Sequence, residues 1–270
     1  METRALAVPG GSLSTTTAGT PGRPPAVLVH AGIAHSAMWA GLMAAVADEL
    51  HTVAYDCRCF GRSETSVEGE YSDVDDLVSV LDGHGLDSVV LVGASRGGRI
   101  ALDFALAHPG RVRGLFLIAP DVSGFEASAS ADEQALLDAI EAADEAGDLE
   151  RIIALEGQLH VDGPTRAADV SREEIRRLVA EMSRVNYALQ QSTPDFTDPG
   201  PAAGRLAGMA CPVHVLVGTA DTTGMREMAA AIARTCPGAT LTEVPDAAHM
   251  LVLERPDVVE SELRSWLPPR

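Results

Sequence analysis

The stretch Val89-Val-Leu-Val-Gly93-Ala-Ser95-Arg96-Gly97-Gly98 constrains the chain more than any other. A continuous apolar run of strand length passes straight into Gly-x-Ser-x-Gly, and a helical pattern follows over 97–107. A strand-to-helix turn this tight holds Ser95 in a strained conformation. Positions 93 and 97 need small residues because neighbouring backbone passes very close. The same bend lifts the hydroxyl above a sheet and leaves N–H groups free at a helix start, where they can hold a developing negative charge. The five-residue spacing alone also describes a glycine-rich turn with a capping serine. The strand before it and the helix after it favour a nucleophile.

The rest of the chain repeats the alternation. Segments 3–8 and 12–18 flank Pro9-Gly10-Gly11 and read as a hairpin. Strand-length apolar runs follow at 26–30, 52–56, 88–93, 114–119, 213–218 and 240–244. Most are continuous rather than alternating, as in a parallel sheet covered on both faces. Helical patterns at 39–49, 74–84, 97–107, 225–234 and 258–266 separate most of them. The expected fold class is α/β, a mostly parallel sheet with helices on both faces.

One interval breaks the rhythm: 120–212 shows no clear strand. Ser130-Ala-Asp-Glu133 and Ser171-Arg-Glu-Glu174 both fit a capping box. After the second, Ile175, Leu178, Val179, Met182 and Val185 share one face, while Arg172, Glu173, Arg176 and Arg177 read as solvated. A Pro/Gly/Asp-rich stretch, 193–204, leads back to the sheet. The expected organisation is a core of 1–120 and 206–270 with an inserted α-helical cap, 121–205. With 270 residues, 46% of them apolar, there is material for a sizeable core.

A serine hydroxyl needs a base. Of eight histidines, His249 is best placed, after the last strand and before the final helix. Two carboxylates could orient it: Asp221, after the strand at 213–218, and Asp121, after the strand at 114–119. Asp221 is preferred, because the order Ser95, Asp221, His249 fits an open α/β sheet with its site at the carboxyl ends of the strands.

These residues resemble the α/β-hydrolase fold superfamily over nearly the whole chain. His30-Ala-Gly32-Ile33, with Trp39 downstream, is similar to its His-Gly oxyanion loop. Asp56-Cys-Arg58-Cys-Phe-Gly61-Arg-Ser63 is similar to its Asp-x-Arg-Gly-x-Gly-x-Ser loop, and His160-Val-Asp-Gly-Pro164 stands where many relatives have Trp-x-Asp-Gly-Pro. The nearest-looking subgroup bears a cap and includes 3-oxoadipate enol-lactonases and similar small-substrate hydrolases. The resemblance implies an oxyanion hole formed by the backbone N–H groups of Gly32 and Arg96, and a substrate site lined by Ile33. Ala31 and Cys59 replace usual glycines, and the loop after Asp221 lacks the proline common there.

The implied activity is hydrolysis of a small carboxylic ester or lactone through an acyl-enzyme. C–C bond hydrolysis of a β-diketone-like substrate, cofactor-free perhydrolysis or lyase chemistry, and a non-catalytic binding role on the same fold remain open alternatives. The Arg96 guanidinium could meet a substrate carboxylate, or pair with an acidic residue of the chain. His30 reads as a structural histidine, and Cys57 and Cys59 as packed thiols. Four scattered cysteines fit neither a disulfide scaffold nor a zinc pattern, and no metal or other cofactor is expected. A net charge of −19 disfavours nucleic acid and anionic membrane as partners. No apolar run reaches membrane-spanning length and the N-terminus carries no secretory pattern, so the expected location is cytoplasmic.

Overall fold

The structure, a computed structural model, describes residues 1–66, 70–190, 195–197 and 200–268. Its first half runs β1 (Glu2–Val8), β2 (Gly11–Ala18), β3 (Pro25–Val29), α1 (Ala40–Ala45), β4 (His51–Tyr55), β5 (Glu64–Thr65), β6 (Glu70–Tyr71), α2 (Asp73–Gly83), β7 (Val89–Ala94), α3 (Arg96–Ala107) and β8 (Val112–Ile118). Helices α4 (Ala131–Glu145), α5 (Leu149–Glu156) and α6 (Glu173–Leu189) come next. The chain then continues as β9 (Asp195–Phe196), β10 (Val213–Gly218), α7 (Thr223–Thr235), β11 (Thr240–Val244), α8 (Leu251–Glu254) and α9 (Pro256–Trp266).

The main sheet is ordered β1-β2-β4-β3-β7-β8-β10-β11. It is parallel from β4 to β11, with the β1–β2 hairpin added antiparallel at the β4 edge. Every residue of β7 and β10 is buried, which is why their sequences run apolar without alternation. Alternate side chains still go to opposite faces. Val27, Val29 and Leu91 join Leu77, Phe104 and Ile232 of α2, α3 and α7, whereas Leu28, Val90 and Val92 join Met43, Val259 and Leu263 of α1 and α9. Truncating Leu91 to alanine in such a two-sided core costs about 2–5 kcal/mol. Among the described residues no helix is long and apolar enough to cross a membrane.

Most of 131–189 is helical, and three details between 121 and 205 differ from expectation. The Ser130–Glu133 capping box forms, but Ser171 does not cap. Instead, the Asp169 carboxylate accepts the Ser171 amide at 2.8 Å, and a 3-10 turn, Val170–Arg172, precedes α6. Asp169, two residues earlier, captures the free amide first, as Asp favours at such turns. Val185 is 42% exposed while Asn186 is buried. Stepping about 100° per residue from Ile175 through Val179 and Met182 brings position 186, not 185, onto the inner line. Finally, the stretch 193–204 contains β9, which pairs in parallel with β6. Two residues are too few to leave a strand pattern in the sequence. Positions 191–194 and 198–199 of this connection lie outside the described residues.

Candidate active site

Ser95 connects β7 to α3 at φ 52°, ψ −118°, a conformation L-residues rarely adopt. The glycines beside it make the bend possible. A side chain on Gly93 would strike the Gly97 carbonyl, and one on Gly97 would strike the Val29 carbonyl. The Ser95 amide donates to the Ile118 carbonyl at 3.0 Å, and the Asp121 amide donates to the Ser95 carbonyl at 3.1 Å. Arg96 opens α3, and Gly32 faces it: a Cβ on Gly32 would lie 3.9 Å from Arg96 Cβ and Cδ. Gly32 thus lies against the side chain of Arg96.

Asp221 and His249 come from the loops after β10 and β11. The Ala220 amide donates to the Ala247 carbonyl at 2.9 Å, and this ties the loops together. Asp221 Oδ2 accepts from His249 Nδ1 at 3.0 Å, with both side chains buried, and Oδ1 accepts the Thr222 amide at 2.7 Å. Burial pulls the His249 imidazole toward neutrality. The charge and hydrogen bond of Asp221, with the charge of Asp121 behind them, outweigh it and raise His249 above the usual histidine value. The carboxylate on His249 is thus Asp221. Asp121, its side chain 36% exposed, lies 3.8 Å from Arg99.

Arg96 pairs its guanidinium with an acidic residue of the chain, the second of the two partners open to it. Its Nη2 donates to both oxygens of Asp73, at 2.9 and 2.8 Å, and its guanidinium sits 4.9 Å from the centroid of the Phe60 ring. Burial opposes the charge, but Asp73 more than compensates and holds it firmly protonated. Ile33 is partly buried against the α1/α9-side cluster, and its carbonyl accepts the Ser183 hydroxyl at 3.0 Å. His30 is fully buried: Nε2 accepts the Cys57 amide at 3.0 Å, and Nδ1 lies 2.8 Å from the Ala31 carbonyl. Desolvation lowers it to about 4, as befits a structural imidazole. Cys57 is pushed up to about 12 by burial, which makes it a poor nucleophile. Among the described residues no group of three or more His, Cys, Asp or Glu is arranged to hold a metal.

Sequence reasoning left several contributors without a role. Glu133 was legible as half of a capping box. Its Oε2 accepts the Ser130 amide at 2.6 Å, while Oε1 accepts the Thr223 amide at 2.6 Å and the Thr223 hydroxyl at 3.1 Å. A helix-capping residue thereby grips the loop that carries Asp221, where no proline stiffens it. Asn186 accepts the Gly61 amide and donates to the Ala34 carbonyl, so α6 stitches two loops at the sheet edge. Arg172 and Arg176, expected to be solvated, both bind the buried carboxylate of Asp162. His160, on a π-helical turn (Gly157–Asp162), lays its ring 4.9 Å from the His249 ring. Desolvation, with the nearby His249 charge, lowers His160 to about 3, and its buried Nδ1 meets no partner. Such turns recur at functional sites.

A family model described as the alpha/beta hydrolase family matches residues 26–262, and the chain belongs to that family. A stretch of 100 residues is 37% identical to the 2-hydroxymuconate semialdehyde hydrolase of Pseudomonas sp. (strain CF600), covering 35% of each chain. The chain spans about a third of the length of the curated relatives it matches. Among solved structures, Est816, described as an N-acyl homoserine lactone degrading enzyme, superposes with a TM-score of 0.77 at 24% identity, covering 98% of this chain and 100% of that one. The enol-lactonase from Burkholderia xenovorans LB400 gives 0.77 at 20% identity, covering 97% and 98%. These structural likenesses are likenesses of fold.

Proposed function

We propose that the protein is a serine hydrolase of small carboxylic esters or lactones, with residues 121–205 forming a cap over the core. The observation that carries this reading is the buried 3.0 Å bond from His249 Nδ1 to Asp221 Oδ2, on the same sheet edge as the strained Ser95. His249 Nε2 takes the hydroxyl proton as Ser95 Oγ attacks the substrate carbonyl. The amides of Gly32 and Arg96 hold the tetrahedral oxyanion, a contribution worth roughly 10²–10³ in rate per donor. His249 returns the proton to the leaving oxygen, and a water deacylates Ser95 by the same route. Asp221 fixes the Nδ1–H tautomer and balances the imidazolium.

Arg96 acts through its backbone amide, while the Nη2 of its side chain is held by Asp73. The substrate is a small molecule, and the acidic surface disfavours nucleic acid and membrane as partners. Turnover of a panel of short esters and lactones tests the reading. Ser95→Ala should lower kcat by roughly 10⁴-fold or more, leaving the residual rate of oxyanion hole and binding. Near-normal turnover by Ser95→Ala would refute it.

A further inference from the structure

The residue before His249 is pinned by a side chain from the short helix that follows it. Glu254, the last residue of α8, turns back so that its Oε2 accepts the Ala248 amide at 2.7 Å. Its Oε1 accepts from Arg166 Nη2 at 2.9 Å. Arg166 lies just past the π-helical turn that carries His160, and the rest of its fork goes to backbone. Nε donates to the Asp162 carbonyl, Nη2 also to the Val161 carbonyl at 3.3 Å, and Nη1 to the Asp246 carbonyl. The Arg166 and Glu254 side chains are only 20% and 10% exposed.

One guanidinium thus joins the π-helical turn to both ends of 246–248, the stretch that leads into His249. Asp246 sits at φ 54°, in the left-handed region, which such a residue keeps only where its surroundings enforce it. The Asp221 loop gives one set of contacts: the Asp246 amide donates to Thr219 Oγ1 at 3.0 Å, and the Ala247 carbonyl accepts the Ala220 amide at 2.9 Å. Arg166 and Glu254 give a second set, from the helical segment and from α8. The residue types suit the task. Four acceptors in different directions match a rigid planar fork, and a lysine ammonium offers no such fork. Both partners of Glu254 are donors, so a glutamine, whose own nitrogen donates, could satisfy only one of them. A base displaced by about 1 Å costs roughly 10²-fold in rate, so bonds that fix this loop bear directly on turnover.

We infer that Arg166 and Glu254 are positioning residues for the reaction: they hold the loop of His249 against the π-helical turn and so keep the imidazole in reach of Ser95. They act through the backbone at 246–248 and touch no reacting atom. The inference rests on the serine-hydrolase reading and adds to it the pair that ties the base to the helical segment.

Steady-state kinetics on variants shown by circular dichroism to be folded test it. Arg166→Ala should lower kcat by roughly 10²-fold and move KM less than about threefold. Millimolar guanidinium ion should restore kcat at least about fivefold in this variant and leave the wild type unchanged, whereas methylammonium, a compact cation without a fork, should restore nothing. Arg166→Lys should stay slow for the same reason. Glu254→Gln, nearly the same shape, should lower kcat by roughly tenfold without rescue by guanidinium. Joined to Arg166→Ala it should add little, because the two act through one chain of bonds. A kcat within threefold of wild type in both variants, a loss confined to KM, or equal rescue by methylammonium would overturn the inference; if Arg166→Ala does not fold, Glu254→Gln decides on the same threshold. Fluorophosphonate labelling separates the two levels. Ser95 labelled at one rate in the wild type and in the folded variants refutes the positioning role alone, and folded wild type that takes no label refutes both readings.

Discussion

The Glu133 carboxylate, buried at the start of α4, accepts the amide of Thr223 at 2.6 Å, two residues past Asp221. The helical segment and the acid loop are thus joined by one side chain. Burial would push that carboxyl up, but the amides of Ser130 and Thr223 hold it ionised and below the usual glutamate range. Replacing Glu133 by Ala should cost between tenfold and a hundredfold in kcat, on the order expected when a catalytic group is displaced by about 1 Å. The acidic limb of the pH–kcat/KM profile should also move to lower pH, because a loosened Asp221 supports His249 less. A variant that loses stability but keeps the limb in place would limit Glu133 to a structural role.

Asp221→Asn tests the same coupling at its source. His249 must be neutral to act as base, and its raised pKa places the acidic limb above the usual histidine value. Without the carboxylate charge, burial dominates and the imidazole titrates lower, so the limb should shift toward acid. The rate should fall by roughly 10⁴, because Asn also favours the wrong tautomer. A limb that stays fixed in Asp221→Asn would contradict the assignment of the acid.

The Arg96–Asp73 pair makes a stability prediction. Arg96 and Asp73 side chains are 17% and 6% exposed, so removing one partner strands a charge with little solvent. Asp73→Asn should cost about 3–5 kcal/mol, and Arg96→Met combined with Asp73→Asn should recover much of it. Additive losses in denaturant unfolding would show that the pair is not coupled.

His30 predicts part of the acid sensitivity. Its folded value of about 4 lies below the unfolded 6.5, so the unfolded chain binds the proton first as pH falls. The neutral-buried arrangement therefore costs nothing at pH 7 and destabilises from pH 6.5 downward. By pH 5 the loss is on the order of 2 kcal/mol. His30→Gln should lose about that much less between pH 7 and pH 5, measured by urea unfolding. An identical pH dependence in both proteins would contradict it.

The sheet was legible because strands buried on both faces leave continuous apolar runs, and β10, buried along its whole length, matches its expected span of 213–218. The Asp221–His249 bond and the strained turn at Ser95 lie where chain order and strand ends directed the sequence reading. The helical segment was harder. An amphipathic pattern marks α6, but only three-dimensional placement reveals that Ser183 and Asn186 face the loops at Ile33 and Gly61. The partner of Arg96 was equally invisible, since Asp73 lies on a different helix and the acidic composition offers many candidates. His160 was visible as a departure from a tryptophan, but its contact with His249 depends on a π-helical turn that no sequence period announces.

The central claim is that Ser95 is a nucleophile activated by His249. The direct measurement is the rate and site of covalent labelling by a fluorophosphonate, read by intact mass and peptide mapping at pH 7.5. A single adduct on Ser95, formed at least a hundredfold more slowly in His249→Ala, is the predicted result. No adduct in folded protein, an adduct elsewhere, or the same rate without the imidazole would contradict it.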